Sequence, residues 1–274
     1  MSLDLNVKVA GDGPPLVLLH GFTGSADAWS RLAEPLARRR RVIAFDLPGH
    51  GASPAPADAD QARLPRVADA LVRAVAALGV RQADWIGYSL GGRTALHVAL
   101  AHPSAVRALV LEGASPGIAD SVERRARAAA DAALADEIER DGLEPFVDAW
   151  MAQPLFASQA RLPAEVRAHE RARRLRGSAK GYAAALRAMG VGTQESLGPR
   201  LGEIVARVLL VVGATDVKYG AIARAMTASL GDARLAVVSG AGHAVHLEQP
   251  DAWLDLVEPF LSGVGARARA AVSA

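Results

Sequence analysis

The 274-residue chain contains no cysteine. That excludes disulfides, a thiolate nucleophile and cysteine-ligated metal sites. It also lacks a charge excess: 31 Lys and Arg stand against 29 Asp and Glu, a net +2. Nothing in that balance demands a nucleic-acid partner. No apolar run approaches the roughly 20 residues of a membrane-spanning helix. The longest, Leu16–Leu19 and Val208–Val212, are strand-length. Residues Met1 to Pro15 are polar and broken by Gly and Pro, without the charged-then-apolar order of a signal peptide. A cytoplasmic protein with no membrane insertion is therefore expected. The seven histidines form no H-E-x-x-H pattern, so no metal is expected. Gly190-x-Gly192 follows a helical stretch instead of a strand, which argues against a dinucleotide cofactor.

What is present is a globular chain. Apolar residues make up 51% and charged residues 22%, which rules out intrinsic disorder. Short aliphatic runs at 16–19, 42–45, 83–87, 106–111, 208–212 and 235–238 read as buried strands. Stretches with helical apolar spacing lie between them, at 26–39, 65–78, 90–101, 220–230 and 250–261. This alternation predicts an α/β fold with a mostly parallel central sheet flanked by helices. From about Pro116 to Pro199 no strand pattern occurs, and 121–140, 143–151, 164–176 and 179–189 look helical. The expected organisation is a core of residues 1–115 and 200–274 with a helical lid, 116–199, inserted. The tail after Ser262 is expected to fray.

Three separated residues carry a chemistry. Gly87-Tyr88-Ser89-Leu90-Gly91 is a G-x-S-x-G pattern between a strand and a helix, the context of a nucleophile elbow. The turn is so tight that the residues two before and two after the serine must lack a bulky Cβ. The helix N-terminus beneath it favours developing negative charge. An activated serine needs a base, and the base needs an orienting carboxylate. Asp216 follows the strand at 208–212, and His243 follows the strand at 235–238 in a glycine-rich turn. Both fall at the C-terminal edge of a parallel sheet, where loops converge. Asp216 could also cap the next helix. His246 is the rival base, and His243 is preferred because it directly follows the glycine turn. The backbone N–H groups of Phe22, in His20-Gly21-Phe22, and of Leu90 are candidate oxyanion donors. The turn Asp46–Ser53 is read as the floor of the site, without a catalytic task.

H-G-F, D-x-P-G-H-G-x-S, G-Y-S-x-G-G, G-x-x-D and G-x-G-H occur in order over almost the whole chain. Together they resemble the α/β-hydrolase superfamily. Gly87–Arg93, Glu123-Arg124-Arg125-Ala126-Arg127, Phe146–Trp150 and Gly190–Leu197 narrow the likeness further. They resemble the 2-succinyl-6-hydroxy-2,4-cyclohexadiene-1-carboxylate synthases, the MenH family. The resemblance implies a cofactor-independent lyase of menaquinone biosynthesis that eliminates pyruvate from a polycarboxylate ring. It implies a triad of Ser89, Asp216 and His243. It further implies substrate-binding roles for Tyr88, Arg93, Arg127, Trp150 and Arg174, with Arg173 and Arg176 as neighbours that could take the place of Arg174. Guanidinium groups suit a small-molecule substrate with several carboxylates. Whether Ser89 acts as base or as covalent nucleophile stays open at this level. One departure is that Gly198 follows Leu197 where the family usually has tryptophan. A serine hydrolase of esters or C–C bonds, and a non-catalytic binder on the same fold, are the alternative readings.

Overall fold

The aliphatic runs pair into one seven-stranded sheet in the computed structural model, which describes residues 3–263. The strands are β1 (Val7–Ala10), β2 (Pro15–Leu19), β3 (Arg41–Phe45), β4 (Ala83–Tyr88), β5 (Val106–Glu112), β6 (Arg207–Gly213) and β7 (Ala233–Val238). Their spatial order is β1-β3-β2-β4-β5-β6-β7. All neighbours from β3 to β7 are parallel, and β1 lies antiparallel beside β3. Strand β1 was not expected. It is an edge strand whose residues are mostly exposed, so it lacks the buried apolar run that marks β2 to β6; β7, the other edge strand, is buried only at Val238.

Parallel pairing needs crossovers, and helices supply them. They are α1 (Ser30–Ala37), α2 (Leu64–Ala77), α3 (Leu90–Ala101), α4 (Ser121–Asp141), α5 (Leu143–Met151), α6 (Ala164–Leu175), α7 (Ala179–Met189), α8 (Val217–Ser229), α9 (Val245–Glu248) and α10 (Pro250–Ser262). The strands are apolar on both faces because both faces are covered. Trp85 and Leu109 pack with Val67 of α2, Leu96 of α3 and Met226 of α8 on one side. Ile86 and Val110 pack with Leu36 of α1 and Val257 of α10 on the other. The expected helix 26–39 divides into a 3₁₀ turn, Ala26–Trp29, followed by α1. Helix α8 starts at Val217 and not at Gly220, because the Asp216 carboxylate accepts the Tyr219 N–H and caps it. The expected fraying after Ser262 falls outside the described residues beyond 263.

Between β5 and β6 the chain forms α4 to α7 and no strand. Asp120 caps α4 by accepting from the N–H groups of Val122 and Glu123, and Gly142 ends it at φ 90°. A small apolar cluster holds these helices together, including Ala135, Ile138, Phe146, Val147 and Tyr182. A 3₁₀ helix, Pro154–Arg161, links α5 to α6. At the opposite end of the sheet, the buried Asp84 of β4 takes hydrogen bonds from Arg40 and from Arg107.

Candidate active site

The strand-to-helix turn at residue 89 determines the geometry of the site. Ser89 has φ 51° and ψ −108°, a strained conformation for a residue with a Cβ. Close packing holds it there. A Cβ on Gly87 would collide with the Gly91 carbonyl, and one on Gly91 with the Leu19 carbonyl. The Ser89 N–H donates to the Glu112 carbonyl at 2.8 Å.

Ser89, Asp216 and His243 meet at the C-terminal edge of the sheet. The Ser89 hydroxyl lies 3.2 Å from His243 Nε2, and His243 Nδ1–H donates to Asp216 Oδ2 at 2.7 Å. Asp216 uses its other oxygen to cap α8, so it serves both purposes. The imidazole is 2% exposed and sits among the rings of Tyr88, Tyr219 and Phe156. His246 turns away from the serine. Its Nδ1–H donates to the fully buried Glu112 at 2.7 Å, and the other Glu112 oxygen accepts from Trp253 Nε1 at 2.8 Å. The competition between the two histidines is thus decided by their carboxylate partners.

The Gly21 backbone lies against the serine. A Cβ there would stand 2.6 Å from the Tyr88 ring and 3.4 Å from Ser89 Cβ. Phe22 and Leu90 both line the cavity above Ser89, and among the described residues neither N–H donates to a protein acceptor. His20 pins this loop to the turn at 46–53: its Nδ1–H donates to the Gly21 carbonyl and its Nε2 accepts the Leu47 N–H. Asp46 organises that turn by accepting from the N–H groups of Ala26 and Ala52 and from the Asn6 side chain.

The cavity encloses about 1010 Å³ between the sheet edge and the helical segment. Tyr88, Arg93, Arg127 and Trp150 all line it. Burial, with Glu112 adding, pushes the Tyr88 phenol well above its usual range. Burial draws Arg93 down to about 10, so it remains a cation at neutral pH. Two of its nitrogens donate to Gln194 Oε1 and the Met189 carbonyl. Arg127 Nε–H donates to Asp131 at 2.8 Å, leaving its two terminal nitrogens for other partners. Trp150 packs edge-on against Phe22, with ring centroids 5.1 Å apart.

Arg174 lies close enough to Tyr88 to act on its phenol electrostatically. It does not line the cavity; neither do Arg173 and Arg176. Arg173 and Arg174 are buried and both bind the Glu170 carboxylate. Arg176 faces Asp27. Two cations that sequence reasoning missed line the wall instead: Arg161, at the end of the 3₁₀ helix, and Lys218, in the first turn of α8. Neither makes an ion pair among the described residues. Both are exposed; Arg161 belongs to no motif, and Lys218 lies in the family-like stretch Asp216-Val217-Lys218-Tyr219, where the resemblance assigns it no role. Gly198 is not part of the wall. No group of three or more His, Cys, Asp or Glu residues suited to a metal ion occurs among the described residues, and no described helix is long and apolar enough to cross a membrane.

This arrangement can move a proton between a serine and a histidine beside anion-binding groups. Comparison with known proteins fits it. A family model described as the α/β hydrolase fold matches residues 14–250. The chain is 42% identical over 268 residues to a Bacillus subtilis (strain 168) protein provisionally named 2-succinyl-6-hydroxy-2,4-cyclohexadiene-1-carboxylate synthase, covering 96% of this chain and 97% of that one. It is 35% identical over 255 residues to the Pectobacterium atrosepticum protein of that name, covering 93% and 96%. The solved structure of MenH from S. aureus superposes with a TM-score of 0.90 at 32% identity, over 96% of this chain and 99% of that one.

Proposed function

The chain belongs to the α/β-hydrolase fold family and, within it, to the 2-succinyl-6-hydroxy-2,4-cyclohexadiene-1-carboxylate synthases, and from that premise we propose that it is a cofactor-independent carbon–oxygen lyase. Its substrate would be 2-succinyl-5-enolpyruvyl-6-hydroxy-3-cyclohexene-1-carboxylate, and its products pyruvate and the cyclohexadiene of the family name. Residues 116–199 would act as a lid over the core.

In this reading His243 accepts the Ser89 proton, and Ser89 removes a ring proton. The C–H electron pair forms the new double bond, the bond from the ring to the enolpyruvyl oxygen breaks with its electrons on that oxygen, and the departing enolate takes the proton held by His243 on its methylene carbon to become pyruvate. Asp216 holds the histidine tautomer and stabilises its cation. The Phe22 and Leu90 N–H groups face the developing oxyanion. Serine is far too weak an acid to act unaided, so the shift comes from His243 and the N-terminus of α3. Arg93 and Arg127 bind carboxylates, and Trp150 forms a wall for the ring.

The observation that carries this reading is the set of cations in one cavity with the serine, namely Arg93, Arg127, Arg161 and Lys218. An ester hydrolase needs no such set. The test is direct assay of pyruvate release. Wild type should turn over, Ser89→Ala should fall by about 10³-fold or more, and Arg127→Ala should lose roughly 10- to 100-fold in kcat/KM, matching about 1.5–3 kcal/mol for a charged hydrogen bond. Fast turnover of p-nitrophenyl acetate with no pyruvate release would overturn the lyase reading in favour of a hydrolase. No turnover by wild type on either substrate would favour a binder.

A further inference from the structure

The loop that carries His243 is braced from behind by a second carboxylate. Glu248 ends α9, is 9% exposed, and reaches back along its own helix. Its Oε2 accepts the Gly242 N–H at 2.8 Å, and its Oε1 accepts the Ala244 N–H at 3.2 Å. These are the N–H groups of the residues on either side of His243. We propose that Glu248 is the positioning residue of His243: by clamping the backbone before and after it, the carboxylate aims the imidazole at Ser89 and adds negative charge behind it. The inference rests on the proton-transfer role given above to His243.

The brace acts where a small displacement matters. The Ser89–His243 distance is 3.2 Å, at the outer limit of the range for proton transfer. The Gly113 backbone packs against the His243 ring and carbonyl from the sheet side, and Gly242 is pressed by Ser158: a Cβ on Gly242 would collide with the Ser158 hydroxyl. The groups facing the imidazole are Asp216 and Tyr219 from the start of α8, and Ser89 and Tyr88 from the β4–α3 turn. Phe156 is brought against it by the helical segment and carries no charge. The Glu112–His246 pair lies behind Tyr88. Glu248 adds a second carboxylate to Asp216 on this side. The competing explanation is that Glu248 only caps a four-residue helix. Capping alone would change stability and leave the chemistry of each folded molecule intact.

The test uses Glu248→Gln and Glu248→Ala in the full chain. The first readout is the second-order rate at which a p-nitrophenyl alkylphosphonate reacts with Ser89, followed by nitrophenolate release across pH. Total release at completion counts folded, competent sites, so a misfolded fraction does not disguise the result. This reaction requires His243 to take the Ser89 proton, and it does not require the natural substrate. The second readout is kcat and KM for pyruvate release. The positioning role gives a per-site phosphonylation rate and a kcat each at least tenfold lower in Glu248→Ala, with Glu248→Gln between it and wild type. KM should stay within twofold. Per-site rates within twofold of wild type, with only the melting temperature reduced, would overturn it. So would a change confined to KM. If pyruvate is never released while phosphonylation shows the expected loss, the lyase reading fails and the positioning role stands.

Discussion

The protein buries two carboxylates that are each held by two arginines, and the two arrangements differ in reach. Asp84 sits under the sheet and takes Arg40 and Arg107. Its partners come from β4's neighbourhood in space and from distant points in sequence, so the group ties separate strands together. Glu170 sits in the helical segment and takes Arg173 and Arg174, three and four residues on. Those bonds close within one helix and tie little else; the links outward are Arg173 and the Tyr182 hydroxyl to the Thr23 carbonyl, at 3.5 Å and 3.2 Å. The same chemical unit is a staple in one region and a local trim in the other. The sheet that fixes Ser89, Asp216 and His243 is thereby made rigid through long-range links. Among the helices of the segment that holds Arg93's and Arg127's partners, the long-range ion pairs, Arg187 with Asp136 and Glu139 and Arg171 with Glu144 and Asp148, lie at the surface, where such pairs contribute little.

Three measurements would break or sharpen this contrast. Asp84→Ala leaves Arg40 buried and uncompensated, so it should cost about 3–5 kcal/mol, read as a lowered denaturation midpoint for the whole protein. A loss under about 1 kcal/mol would remove the staple from the argument. The seam between the two regions should show in the pH dependence of stability. His50 is 1% exposed, with its ring 5.5 Å from Phe22 of the core and 5.3 Å from Tyr182 of α7. Burial lowers its pKa from 6.5 to about 4. The unfolded chain therefore binds the proton first as pH falls, and stability is lost progressively from about pH 6.5 to 4, by about 3 kcal/mol from this group. His50→Phe should flatten the slope of melting temperature against pH in that window; an unchanged slope would exclude His50 as its source. Glu170→Ala also strips the carboxylate from buried cations, Arg173 and Arg174, a loss of about 3–5 kcal/mol in a segment that stays closed; opening of α6 to solvent should bring the measured loss below that of Asp84→Ala. Hydrogen exchange should speed up within 164–189 and hold steady in β4 and β5. Equal acceleration in both places would show that the helical network is as global as the one under the sheet.

Much of this was legible in the sequence because the decisive signals are local. Helices 90–101 and 179–189 coincide with α3 and α7, and the glycines around Ser89 are required by backbone collisions. Asp216 and His243 could be found because each follows an aliphatic strand, although β7, expected to be buried, is an edge strand largely open to solvent. Strand β1 was hidden because its residues face solvent. Arg174 could not be placed relative to the cavity wall, because position along a helix does not reveal a partner: Glu170, four residues back, accepts from its guanidinium. Arg161 and Lys218 reach the cavity wall only through the packing of the 3₁₀ helix beside α8. The bonds from Glu248 to the His243 loop depend on a side chain folding back on its own turn, which apolar periodicity does not encode.

Ser89 occupies a backbone conformation that suits glycine better than any residue with a side chain. Every neighbour is packed so as to leave it no other shape. A glycine there would relax the turn but would carry no oxygen atom. At this single position comfort and reactivity are mutually exclusive, and the fold is constructed around the less comfortable choice.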